Sequence, residues 1–212
     1  MMDFFSYPAL TTVMYWITLV AVAGSASSGV LEAGKKRFDV LGMIIVGIAT
    51  AIGGGTLRDV LLDRTVFWIR DQSYLLVAIS AALLTFYLAR RKRLNPRIFL
   101  IPDAIGLSLF AVAGANAALL MDVPWLVASF MGVITGIMGG VFRDVLCNEE
   151  PLVFQGSLYA TAAWIGALLY IWLRNNQVDI GIAAISSSLL ILVIRLSAIR
   201  WDIGLPKYQS RE

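Results

Sequence analysis

The chain has 212 residues, of which 59% are apolar and 15% are charged, with a net charge of +3. This composition excludes an ordinary soluble domain and is typical of a polytopic membrane protein. Histidine is absent and cysteine occurs once, at Cys147, which excludes an intrachain disulfide, a Cys/His zinc site and His-dependent catalysis. The chain has no Walker sequence, no dinucleotide fingerprint and no recognisable nucleophile with a base, so we expect neither an enzyme nor a cofactor.

Seven apolar windows follow in chain order, at residues 10–30, 40–61, 74–89, 98–121, 125–146, 156–173 and 180–199. Most approach the ~20 residues that a helix needs to cross ~30 Å of hydrocarbon, and the third and sixth are shorter. The amino terminus lacks the cationic region of a secretory signal, so the first window is expected to be a retained helix. The sequence therefore predicts an all-α polytopic membrane protein with seven transmembrane helices, a single membrane domain over residues 1–212, and the lipid bilayer as its partner.

Basic residues are concentrated in alternate loops. One set of loops and the tail contain Lys35, Lys36, Arg37, Arg90, Arg91, Lys92, Arg93, Arg97, Arg200, Lys207 and Arg211. The loops of the other parity contain only Arg64, Arg70 and Arg174. The positive-inside rule then predicts an outside amino terminus and a cytoplasmic carboxyl terminus in the inner membrane. No basic aromatic surface suggests nucleic acid as a partner.

One segment occurs twice. GGGTLRDVL at residues 53–61 returns as MGGVFRDVL at 138–146, 85 positions later. AVAG at 21–24 returns as AVAG at 111–114, and VF at 66–67 returns as VF at 153–154, so a shorter loop in the second half is expected to explain the changing spacing. The pattern predicts two three-helix repeats, at residues 8–90 and 97–174, and a seventh helix at 180–200. Because three is an odd number, the two copies should insert with opposite orientations.

The glycines of this segment are candidate helix bends. Gly53, Gly54 and Gly55 face every side of a helix, so one packing interface cannot use them all, and each glycine weakens a helix by ~1 kcal/mol. We therefore expect a break or bend there and at Gly139 and Gly140. Close helix packing is the alternative for all of them, and it is the expectation for the small-xxx-small pair at residues 132 and 136.

The charged residues of the segment are candidate pore-mouth groups. Arg58, Asp59, Arg143 and Asp144 lie in apolar stretches, where each costs ~3 kcal/mol on insertion scales. Their duplication favours a function in which the aspartates line aqueous mouths and the arginines brace the bends. The alternative is that the arginines snorkel to the interface while the carboxylates pair locally. Successive helical residues point ~100° apart, so Arg58 is not expected to neutralise Asp59.

Two further charges lie in apolar windows. Asp103 follows Pro102 at the start of the fourth helix, where it is either another pore-mouth charge or a favourable first-turn carboxylate. Arg195 lies near the inner end of the seventh helix and is expected to snorkel.

These residues resemble the bacterial branch of the trimeric intracellular cation (TRIC) channel family, whose sequences are also grouped as a glycine or small amino acid transporter domain family. The resemblance is carried by GGGTLRD at 53–59, GGVFRD at 139–144, PDAIGL at 102–107 and a last helix ending near Trp201. It implies a homotrimer with one pore in each protomer, bounded by the second and fifth helices bent at their glycines. It also implies conduction of potassium and other monovalent cations.

The sequence leaves a second function open. A passive channel needs a continuous wet path with weak binding, whereas a carrier for glycine or another small amino acid needs an occluded site that opens alternately. A zwitterion would want a carboxylate and a cation at one depth, and the Arg58 and Arg143 motifs are expected to lie ~20 Å apart along straight helices. This separation favours a channel over a carrier, and the resemblance implies that K+ or Na+ is the permeating ion. We therefore expect a potassium channel with no metal site, and keep the small amino acid transporter as the alternative. A purely structural scaffold would leave the duplicated charges unexplained.

Overall fold

The computed structural model describes residues 8–91, 95, 97–155 and 158–206. Its long helices are α1 (Pro8–Ala33), α2 (Val40–Leu61), α3 (Ser73–Arg90), α4 (Leu100–Leu119), α5 (Trp125–Leu146), α6 (Ala160–Asn175) and α7 (Ile180–Trp201). A one-turn helix, Phe67–Arg70, precedes α3, and 3-10 turns lie at Gly34–Lys36 and Leu152–Phe154. Lys92, Arg93, Lys207 and Arg211, used for the orientation, and the start of the sixth window lie outside the described residues.

Six of the long helices are long and apolar enough to cross a membrane. The other is α6, whose 16 residues rise ~24 Å at 1.5 Å per residue, less than ~30 Å of hydrocarbon. The helix starts follow from local chemistry: the Asp39 carboxylate accepts from the Gly42 N–H at 2.7 Å and caps α2, and the Asp179 carboxylate accepts from the Gly181 N–H at 2.8 Å and caps α7. The predicted all-helical membrane fold is confirmed.

The centre of the fold is α4, with 72% of its apolar window buried, whereas α3 has only 11% buried. Small residues make this possible, because alanines and glycines let helix backbones approach closely. A Cβ at Gly132 of α5 would lie 2.6 Å from the Ala111 carbonyl oxygen of α4, and one at Gly136 would lie 3.1 Å from the Leu107 carbonyl oxygen. The packing role predicted for these two glycines is confirmed.

The two halves correspond at a constant spacing of 85 residues. Both α2 and α5 have 22 residues, and they begin at Val40 and Trp125. Left-handed residues recur at the same spacing, with Asp63 matching Asn148 after these helices. Gly29 and Gly114 both face threonine hydroxyls, those of Thr50 and Thr135, which are themselves 85 apart.

The 90-residue match of the AVAG segments and the shorter loop inferred from it are therefore wrong. Alanine and glycine recur in the small-residue faces of α1 and α4 at many positions, so a four-residue match between them is not specific. The match of Val66-Phe67 with Val153-Phe154 is also wrong, because the structure pairs Phe67 with Leu152. Their N–H groups donate to Asp59 and Asp144 respectively.

Candidate functional site

The glycine motifs bring α2 and α5 into backbone contact. A Cβ at Gly54 would overlap the carbonyl oxygen of Thr135, and a Cβ at Gly139 would overlap the carbonyl oxygen of Thr50. The two contacts are reciprocal, because each half supplies one glycine and one threonine carbonyl. Contacts of this kind are what a two-fold axis between the helices produces. The closest approach of the two helices is thus fixed by residues that the repeat duplicates.

The neighbouring glycines face other groups. A Cβ at Gly53 would overlap the Phe142 ring, one at Gly55 would lie 2.5 Å from the Phe67 ring, and one at Gly140 would lie 2.7 Å from the Tyr159 hydroxyl. Each glycine therefore makes room for a different neighbour. This follows from helix geometry, because consecutive positions point in different directions around the axis.

The predicted helix break is wrong. Both α2 and α5 are continuous α-helices through their glycines, because these glycines are needed for close contact and not for an interruption of the helix. A gentle bend remains a prediction. The Thr50 hydroxyl donates to the Val46 carbonyl at 2.6 Å and the Thr135 hydroxyl to the Met131 carbonyl at 2.6 Å. Such back-bonding one turn earlier often bends a helix.

At the end of α2, Arg58 and Asp59 form a buried pair. The Arg58 Nε donates to Asp59 Oδ1 at 2.9 Å, and the Phe67 N–H donates to Asp59 Oδ2 at 2.8 Å. Arg58 is 5% exposed and Asp59 is fully buried. Arg64, which is partly exposed, approaches the same carboxylate at 4.0 Å. The carboxylate thus ties the arginine to the segment that follows α2.

The end of α5 repeats this arrangement. The Arg143 Nε donates to Asp144 Oδ1 at 2.8 Å, and the Leu152 N–H donates to Asp144 Oδ2 at 2.9 Å. Arg143 is fully buried, and Asp144 is 3% exposed. The expectation that an arginine does not neutralise the next residue is wrong at both ends, because the long side chain folds back along the helix to reach the carboxylate.

Among the described residues, Arg143 has a second carboxylate and a hydroxyl partner that Arg58 lacks, whereas both guanidinium groups lie over a ring, that of Arg58 at 5.6 Å from the centre of Phe67. The Arg143 Nη1 donates to Asp103 Oδ1 and, at 2.7 Å, to the Ser28 hydroxyl. The Tyr159 hydroxyl donates to the same Asp103 oxygen at 3.3 Å, and the guanidinium lies 4.9 Å from the centre of the Phe99 ring. From the first turn of α4, Asp103 therefore joins α4 to α5 as an ion-pair partner, and its pore-mouth role stays a prediction.

Arg195 also lies at this cluster and does not snorkel. It is 1% exposed, and its guanidinium lies 4.6 Å from the centre of the Tyr159 ring. Ser28 is a residue that membrane helices tolerate at many positions, so its pattern carries little weight, and Tyr159 was not predicted. The sequence signal for Tyr159 is that it follows Tyr74 at the 85-residue spacing.

The predicted site residues therefore form three groups: the charged pair at the end of α2, the charged pair at the end of α5, and the glycine crossing between the two helices. Gly54 and Gly139 meet at the crossing, while Arg58 and Asp59 do not contact Arg143 and Asp144 in any described ion pair or hydrogen bond. The carboxylates of Asp59, Asp103 and Asp144 are buried within the chain. They are held by arginine and backbone N–H groups. In this conformation they do not line open aqueous mouths, and that role stays a prediction for another conformation.

Other reactive chemistry is limited. Among the described residues, no group of three or more His, Cys, Asp or Glu side chains is placed to bind a metal ion. Cys147, just after α5, is 1% exposed, and burial raises the pKa of its thiol to about 11. It is therefore a neutral, packed side chain at physiological pH.

Buried duplicated charges and a glycine-mediated helix crossing between two helical halves are typical of membrane transport proteins. The family described as "Glycine transporter" matches the chain in two segments, residues 15–90 and 100–175. The UPF0126 inner membrane protein YadS of Escherichia coli (strain K12) is 41% identical over 202 residues, covering 94% of this chain and 98% of that protein. A UPF0126 membrane protein of Vibrio cholerae is 42% identical over 200 residues, covering 93% of this chain and 84% of that protein.

Solved structures show the same fold. The TRIC trimeric intracellular cation channel orthologue from Rhodobacter sphaeroides superposes with a TM-score of 0.86 at 34% identity, covering 91% of this chain and all of that one. A prokaryotic TRIC channel superposes with a TM-score of 0.85 at 28% identity, covering 92% and 100%. The chain belongs to the bacterial branch of the TRIC channel family, whose sequences are also grouped as glycine transporters. It is a multi-pass inner-membrane protein and not an enzyme.

Proposed function

We propose that this protein is a monovalent cation channel that conducts potassium through a pore inside each protomer, bounded by α2 and α5. The observation that carries the proposal is the reciprocal crossing of these helices at Gly54 and Gly139, within a fold that superposes on TRIC cation channels over 91% of the chain. The other motif glycines, Gly53, Gly55 and Gly140, accommodate the Phe142 ring, the Phe67 ring and the Tyr159 hydroxyl beside the crossing. We place the proposed path on this side of the crossing, among these three side chains.

The charges suit weak binding. Asp59 and Asp144 are each neutralised by the preceding arginine, so neither end offers a bare carboxylate that would hold a cation tightly. Conduction requires that an ion can leave as easily as it enters. Paired charges at both ends of the path provide a polar, water-compatible lining while avoiding a deep cation trap.

We further propose a homotrimer in the bilayer, with an outside amino terminus and a cytoplasmic carboxyl terminus. Residues 8–90 and 97–174 are the two inverted copies, and residues 180–200 are the added helix. No resident cofactor has a role in this mechanism, and K+ or Na+ is the substrate. Supporting this assembly are the small-residue helix faces and the similarity to channels described as trimeric.

A small amino acid carrier is the second candidate. The family description favours it, and so does one detail of the Arg143 cluster. Asp103 Oδ2 and Arg143 Nη2 are buried and have no hydrogen-bond partner among the described residues. They belong to an adjacent carboxylate and guanidinium, the two charges that a glycine zwitterion would use.

Reconstitution into a planar bilayer with asymmetric potassium chloride distinguishes the two. We expect resolved unitary currents that reverse near the potassium equilibrium potential. Saturable uptake of labelled glycine into liposomes, with no unitary currents, would instead establish the carrier. Arg91→Gln is the matched control for substitutions at the crossing and at the two charged ends in either assay. It changes an exposed position outside all three.

A further inference from the structure

A cavity of about 350 Å³ lies where four helix ends meet. It is bounded by the last turns of α1 and α3, the first turn of α2, and the segment before α4. Its apolar lining residues are Val30, Leu31, Met43, Phe86, Ala89 and Ile98. Helix ends in a membrane protein lie at the level of the lipid headgroups. The cavity is therefore placed where a headgroup and the top of an acyl chain are found.

Two cations border this apolar surface. Lys35 and Arg90 both line the cavity, together with Asn95, and none of its described lining residues is acidic. Lys35 is held in position, because its Nζ contacts Glu32 at 2.7 Å and lies 4.1 Å from the centre of the Phe99 ring. Glu32 offsets the lysine charge, so Arg90, which is exposed, leaves the group with a net charge of +1.

The other half of the molecule shows that the fold does not require these cations. At the 85-residue spacing, Lys35 corresponds to Leu120 and Arg90 corresponds to Asn175. Asn95 corresponds to Ile180, which is 7% exposed at the start of α7. The matching positions of the second half carry no cation, and Leu120 there is 54% exposed. The two cations are therefore a feature of the first half alone.

We propose that this cavity binds the phosphate of an anionic phospholipid, with Arg90 and Lys35 contacting the headgroup and the upper acyl chain lying on Phe86 and Met43. Basic pockets between transmembrane helices bind anionic headgroups for this reason, and the volume falls within the ~300–1,000 Å³ of small-molecule sites. The apolar floor favours a lipid over a free phosphate ion, which would leave that surface in contact with water.

Native mass spectrometry of the purified full-length protein, titrated with dioleoyl phosphatidylglycerol, tests the proposal. We expect one retained lipid per chain and about fivefold weaker retention in Arg90→Gln and in Lys35→Gln, from the loss of one interfacial cation each. Arg91→Gln removes the same charge one residue later, at an exposed position outside the cavity, and should leave retention unchanged.

A volume variant tests the cavity apart from its charge. Ala89→Trp fills the space while keeping both cations, and we expect it to abolish retention in protein that still elutes as a single oligomeric species. Retention unchanged in Ala89→Trp, or weakened equally by Arg91→Gln, would overturn the site. Equal retention of dioleoyl phosphatidylcholine would overturn the headgroup charge. Displacement of all phosphatidylglycerol by millimolar inorganic phosphate would assign the cavity to a soluble anion.

Discussion

The end of α2 and the end of α5 have the same backbone and different electrostatics. In both, an arginine donates to the next residue's carboxylate, and that carboxylate accepts from an N–H eight residues later. Among the described residues, only Arg143 has a second carboxylate, Asp103, and a hydroxyl from α1. The positions that match Asp103 and Ser28 in the other copy are Thr18 and Ala113. The two ends thus share the arginine–aspartate pair, and different residues at two positions on other helices make one end a multi-helix junction.

The largest expected effect is on stability. Arg143→Ala removes the shared ion-pair partner of two buried carboxylates, with Arg195 as the remaining cation of the cluster, and breaking a buried pair in this way costs ~3–5 kcal/mol. Arg58→Ala removes the partner of only one carboxylate, beside the partly exposed Arg64, so we expect a smaller loss. Thermal unfolding followed by tryptophan fluorescence should rank Arg143→Ala well below Arg58→Ala, and Asp103→Asn should recover part of the loss in Arg143→Ala. Equal melting temperatures for the two arginine variants would show that Asp103 adds nothing.

The crossing should respond symmetrically, in contrast to the two ends. Gly54→Ala and Gly139→Ala each place a methyl group against a backbone carbonyl, and overpacking of this kind costs ~1–3 kcal/mol. Gly53→Ala meets the Phe142 ring, which can rotate, and should cost less. Denaturation of the three variants checks the order. A much larger effect at Gly54 than at Gly139 would contradict the reciprocal geometry.

The same glycines test the pore. Gly54→Leu and Gly139→Leu should each suppress unitary conductance in protein that remains oligomeric, because a large side chain at the crossing displaces the helices that bound the path. Wild-type currents in both variants would remove these glycines from the pore. Loss of the oligomer would assign them to packing alone.

Removing the carboxylate charge at each end should change the cation current by different amounts. Asp59→Asn leaves Arg58 without a carboxylate partner, whereas Asp144→Asn leaves Arg143 paired with Asp103. The uncompensated cation repels permeating cations, so Asp59→Asn should lower cation current and introduce rectification more than Asp144→Asn. The difference should shrink as salt rises above 0.1 M, where the Debye length is ~10 Å. Single-channel recordings at low and high salt check this, and identical rectification in both would refute the asymmetry.

The smallest expected effect lies at the surface, where Lys36 of the α1–α2 connection contacts Glu149 after α5 at 2.6 Å. The Lys36 ammonium lowers the pKa of the Glu149 carboxyl by its hydrogen bond and its charge. A lowered carboxylate pKa contributes stability above the unfolded value, 4.5 for Glu, and that contribution is lost as pH falls through the folded value. The melting-temperature difference between wild type and Glu149→Gln should therefore be small near pH 7 and vanish in acid. A difference that grows in acid would have the wrong sign.

The sequence predicts local features of this molecule well and distant contacts poorly. Long apolar runs located α2 and α5 to the residue, because a bilayer leaves few alternatives to a helix. The duplicated glycines and charges correctly marked residues that meet the other half or lie buried. The Asp103–Arg143 contact joins positions 40 apart on different helices, and no local pattern encodes it. Whether the arginines are buried or extend to the membrane surface could not be predicted either. Both outcomes are open to an arginine at the same helical position, and the choice depends on whether neighbouring helices provide a carboxylate for it.

The reciprocal contact of Gly54 with the Thr135 carbonyl, and of Gly139 with the Thr50 carbonyl, has a consequence for ancestry. A glycine and a threonine four residues before it, in a single three-helix unit, suffice to form both contacts when two copies of that unit meet about a two-fold axis. A half-length ancestor that inserted in both orientations would have built the same crossing as an antiparallel pair. Fusion of two such copies would fix one in each orientation, and each end would then be free to acquire its own partners.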